Sequence, residues 1–112
     1  MQIEWQNSED EKLRIAQSIL EKFPDYAPAW KEIAGKAENN NQRLEAIKKG
    51  LELNPDLETK GMLLINQALI YDVQGNTESA KKIIAELIFN KESTVANVEM
   101  AKFVLKSIVT RN

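Results

Sequence analysis

The 112-residue chain contains no histidine and no cysteine. That removes the commonest general base, thiolate chemistry, disulfides and every zinc site built on nitrogen or sulfur ligands. Glycine and proline are scarce, with four and three copies, and aromatic residues make up only 6% of the chain. Neither sign of charge is in excess: 15 basic residues stand against 17 acidic ones, a net charge of −2. A domain-wide phosphate-neutralising surface is therefore not expected, and the reading is no nucleic-acid partner. No apolar run approaches the roughly 18 residues of a spanning helix, and the start, Met-Gln-Ile-Glu-Trp-Gln-Asn-Ser, lacks the basic and apolar regions of a secretory signal. The expectation is a cytoplasmic protein that makes no use of a membrane.

What is present is helical patterning. The few Gly and Pro residues, with polar clusters at Asn39–Asn41, Gly75-Asn76 and Asn90–Ser93, cut the chain into segments of helix length. The pattern predicts an all-α domain over 1–112, with helices near 9–22, 27–38, 42–53, 57–73, 77–89 and 94–109 and no strand. Ser8 and Glu11 have capping-box spacing for the first helix, and Pro28 suits the first turn of the second. Asn54-Pro55 ends the third. The fourth is apolar almost all round and should lie between neighbours. Gly75 can take the left-handed conformation after it, and Asn76 can cap the fifth.

An internal period is also visible. Ala34 and Ala46 lie 12 apart, as do Ala68 and Ala80, and the two pairs are offset by 34 residues. Small side chains at such positions let two antiparallel helices cross closely. With Trp30, Ile33-Ala34, Ala46 and Pro55 in the first copy, and Ala68, Tyr71, Gly75-Asn76 and Ala80 in the second, the chain resembles the tetratricopeptide repeat family. Pro55 comes about three residues early, Gln67 stands where a large apolar residue is usual, and the first helix matches only a second-helix half-repeat. The resemblance implies antiparallel helix hairpins in a right-handed superhelix: a half-repeat helix at 9–22, repeats at 27–55 and 57–90, and a capping helix at 94–110.

Candidate chemistry is sparse. Glu45 with Glu52, and Asp56 with Glu58, read as solvated carboxylates without a partner to shift them. The stretch from Gly75 to Lys82 lacks the second glycine and the Lys-Ser/Thr pair of a phosphate loop. Lys48-Lys49 and Lys81-Lys82 are flanked by acids and read as solvated faces with helix-supporting pairs. The expectation is no enzyme, no cofactor and no metal.

The resemblance implies instead a concave surface on the first helices of each pair, where a partner protein or peptide would lie. Carried onto this sequence it offers Pro28, Lys31, Glu32, Gly35 and Glu38, then Met62, Ile65, Asn66, Leu69 and Asp72. One branch of the family grips a peptide carboxylate through a five-residue polar set, of which only Lys31 and Asn66 match. Met62, Ile65 and Leu69 suggest an apolar groove for an amphipathic segment. The last helix, rich in Val, Met100 and Phe103, lacks the polar outer face of a cap and reads as part of that surface, or as the interface of a homodimer. The expected site is Lys31, Met62, Ile65, Asn66, Leu69, Asp72, Met100 and Phe103.

Overall fold

The computed structural model describes residues 2–111, with side chains described over 11–110. Six helices follow one another: α1 (Gln2–Lys22), α2 (Ala27–Lys36), α3 (Asn40–Glu52), α4 (Leu57–Val73), α5 (Thr77–Phe89) and α6 (Val95–Arg111). Among the described residues there is no strand. The single stretch expected over 1–112 divides into two compact units, 1–55 and 56–112. The division falls at Pro55-Asp56, where the period puts the end of its first copy.

In the first unit α2 packs against α1 and against α3. Its buried apolar side chains are almost all alanine, namely Ala16, Ala27, Ala29, Ala34, Ala37 and Ala46, joined by Ile47, and Gly50 is buried beside them in α3. Small side chains at these positions bring helix axes close. Trp30 is half-buried and its Nε1 donates to the Pro24 carbonyl at 2.8 Å, tying α2 to the link before it.

Several helix ends differ from the sequence reading; those of α3 at Glu52 and of α6 at Val95 and Arg111 are shifts of one or two residues. α1 opens at Gln2, because nothing in residues 2–7 breaks a helix; Ser8 thus lies inside α1, and its side chain falls outside the described ones. α2 stops at Lys36, since Ala37 is extended and Arg43 Nε donates to its carbonyl at 2.7 Å. α3 starts two residues early because the Asn39 side chain accepts the Gln42 amide at 2.8 Å.

Two residues past the end of α3 stands Asn54, a non-glycine residue with φ of 54°. The Asn54 amide donates to the Leu51 carbonyl at 3.2 Å. The companion bond of a Schellman motif cannot form, because the next residue is Pro55 and has no N–H.

In the second unit α4, α5 and α6 all pack on one another. The core joins Ile65 and Ala68 of α4, Ala80, Ile84 and Leu87 of α5, and Ala101, Val104 and Ile108 of α6. Burying these eight side chains supplies the main favourable term for the unit. α4 is also buried at Thr59, Leu63 and Ile70, on a second face, as its all-round apolar pattern requires.

The turn after α4 is a full Schellman motif. Gly75 has φ of 87°, its amide donates to the Asp72 carbonyl at 3.0 Å, and the Asn76 amide donates to the Tyr71 carbonyl at 2.8 Å. Asn76 occupies the cap position of α5 without the side-chain bond expected of it. Across the same turn Thr77 Oγ1 donates to Asp72 Oδ1 at 3.1 Å.

α6 meets α4 at one tight point. The buried Asn97 side chain donates through Nδ2 to the carbonyls of Leu57, at 3.3 Å, and Glu58, at 3.2 Å. A Cβ on Gly61 would overlap that amide. The absence of a side chain at Gly61 is what lets α6 approach the first turn of α4.

Candidate protein-binding surface

The 34-residue offset extends from the paired alanines into α6. Leu63 and Ile70 are buried in α4, and the residues 34 further on, Asn97 and Val104, are buried in α6. The two helices thus present corresponding rows. The row that remains partly open on α4 is Met62, Asn66, Leu69 and Val73, at spacings of four, three and four. Its counterpart on α6 is Ala96, Met100, Phe103 and Ser107. Leu69, 40% exposed, corresponds to Phe103, 71% exposed, and Asn66 corresponds to Met100.

Met62 is also held in place, packing against the edge of the core. No charged side chain belongs to either row. Glu99, paired with Lys102 at 3.8 Å, borders the α6 row one turn before Phe103.

Three expected residues have other positions. Ile65 is only 2% exposed and belongs to the core, because its flank of α4 faces the packed helices; it cannot line an open surface. Asp72 is half-buried and its carboxylate serves the turn through Thr77. Lys31 lies on α2 in the first unit, where with Pro28 and Glu32 it borders a shallow depression against Lys12, Ile15 and Tyr26 of that unit.

Val73, exposed and four residues after Leu69, was missed by sequence reasoning. The signal was there, since it continues the spacing of Met62, Asn66 and Leu69. A helix apolar all round hides which of its residues stay open.

Among the described residues no group of His, Cys, Asp or Glu is placed to hold a metal ion, and no helix is long and apolar enough to cross a membrane. Among the described ionisable groups with a resolved shift is Asp56, whose carboxyl is held below the usual aspartate value, chiefly by the hydrogen bond from Thr59. That group caps α4 and lies off the apolar rows. The chain matches no protein-family model, no curated protein and no solved structure.

Proposed function

We propose that this chain is a non-enzymatic adaptor of the tetratricopeptide-like kind, which holds an amphipathic segment of a partner protein against the second unit. The observation that carries this reading is the pair of corresponding rows, Met62, Asn66, Leu69 and Val73 on α4 with Met100 and Phe103 on α6, apolar apart from one amide. A segment laid on them gains affinity by burying Leu69, Met100 and Phe103, at about 25 cal/mol per Å² of apolar surface removed from water. Asn66 supplies a hydrogen-bonding side chain that fixes the segment's register, since both its amide ends can bond a peptide backbone. An uncharged row selects by shape and apolar spacing, so binding should depend weakly on salt.

The test is selection of peptides from a displayed library of amphipathic segments on the folded chain, followed by titration of the winners. Leu69→Glu should weaken binding at least about tenfold, equivalent to about 1.4 kcal/mol, while the helical circular dichroism stays unchanged. Selected peptides that bind Leu69→Glu and Phe103→Glu as well as the parent would sink the reading.

A further inference from the structure

α6 carries a second row, only part of which is used by its own unit. In α4, Leu64, Ala68 and Tyr71 pack into the core of the unit. The residues 34 further on are Val98, Lys102 and Leu105, and Val95 and Val109 extend the row at both ends. The spacings from Val95 to Val109 run three, four, three and four, the heptad spacing of a helix-pairing seam with Lys102 at its centre. Val98 and Leu105 are half-buried, while Val95 and Val109 are 80% and 54% exposed. Of the positions equivalent to the packed ones of α4, Leu105 still packs against the core on one side, Val98 is half-buried and Lys102 is exposed, while Val95 and Val109 beyond them are open to water.

The charges beside the row say what fits it. Glu99 and Lys106 flank it on one side, seven residues apart. Side by side in the same direction and register, two α6 helices would set Lys102 against Lys102 within the seam, and Glu99 and Lys106 would meet no opposite charge across it. Run antiparallel, the same helices bring Glu99 of each to Lys106 of the other, twice across one two-fold axis. Lys102 then falls opposite Leu105 rather than its own copy, and Val98 falls opposite Val109. Like charges side by side oppose one arrangement and complementary charges favour the other.

The geometry points to a homodimer formed by antiparallel pairing of α6 with α6 along Val95, Val98, Lys102, Leu105 and Val109. Met100 stands away from the seam, whereas Phe103 lies between Glu99 and Lys106 and borders a depression with Lys106, so the row shared with α4 adjoins the charged pairs without entering the seam. One helix per copy makes a small interface, and the association is correspondingly weak. This inference uses none of the residues on which the proposed peptide surface rests.

Sedimentation equilibrium of the full chain, run to about 1 mM, tests it. The parent should show a monomer–dimer equilibrium, and Val109→Glu should shift it to monomer with helicity unchanged. Glu99→Lys and Lys106→Glu should each weaken dimerisation about tenfold, and an equimolar mixture of the two should regain it, because every facing pair is then opposite in sign. The double variant carrying both changes should dimerise like the parent. A parent that stays monomeric throughout overturns the proposal. So does a dimer that ignores Val109→Glu, or a double variant that stays as weak as the singles. Leu69→Glu should leave the equilibrium untouched, which separates this test from that of the peptide surface.

Discussion

Single residues carry the tight points of this fold. Asn97 is nearly fully buried, spends its amide on two α4 carbonyls and leaves its own Oδ1 buried without a partner. It fits only because Gly61 has no side chain. Gly61→Ala should therefore destabilise by roughly 2–3 kcal/mol despite the better helix propensity of alanine, since the displaced amide loses its bonds inside the protein. Asn97→Ala should cost less, because the two carbonyls keep their helix bonds and the unpartnered oxygen disappears. Adding it to Gly61→Ala should recover most of the loss, and a double-mutant cycle by urea denaturation measures the coupling. The two left-handed residues respond in opposite ways. Gly75→Ala should cost about 1–2 kcal/mol through backbone strain alone, because no neighbouring atom lies near enough to meet its Cβ. Asn54→Gly should stabilise, by less than about 1 kcal/mol, since glycine adopts the same conformation without strain.

At the scale of elements, α4 is the organising helix of the second unit. Its start is fixed by Asp56, whose Oδ2 accepts the Thr59 amide at 3.1 Å. Hydrogen bonding to the carboxylate lowers its pKa in the folded chain. A lowered folded value means stability that is present above the ordinary aspartate range and lost as pH falls through the folded value. Asp56→Ala should accordingly lower the melting temperature near neutral pH, and the difference from the parent should shrink on acidification below the ordinary aspartate range. A difference that stays constant to the lowest pH at which both fold would show that the charge of Asp56 has no part in the cap. The other end of α4 is set by the Gly75 turn, whose two backbone bonds use carbonyls the helix leaves open.

For the whole molecule, the consequence is two separable surfaces on the second unit. Leu69→Glu should remove peptide capture and keep self-association. Val109→Glu should do the reverse. Measuring both properties on both variants, by titration and by sedimentation, distinguishes a dimer that presents two peptide surfaces from one in which self-association consumes them. A single variant that abolishes both properties with helicity intact would mean that the two rows act as one interface.

Much of this was written locally. Helix content and most boundaries follow from the spacing of apolar residues, from the small number of Gly and Pro residues, and from residues such as Gly75 and Pro55 whose backbone restrictions act without help from distant parts of the chain. The period of 34 likewise needed only the sequence, because it is a repetition of residue types. Tertiary structure decided which side of each helix stayed open. Ile65 and Leu69 are equally apolar and four residues apart, yet one enters the core and the other meets water. That difference depends on where α5 and α6 come to lie. The same holds for Gly61 and Asn97, an ordinary glycine and an ordinary asparagine 36 residues apart in sequence, whose pairing exists only when two helices cross at that point.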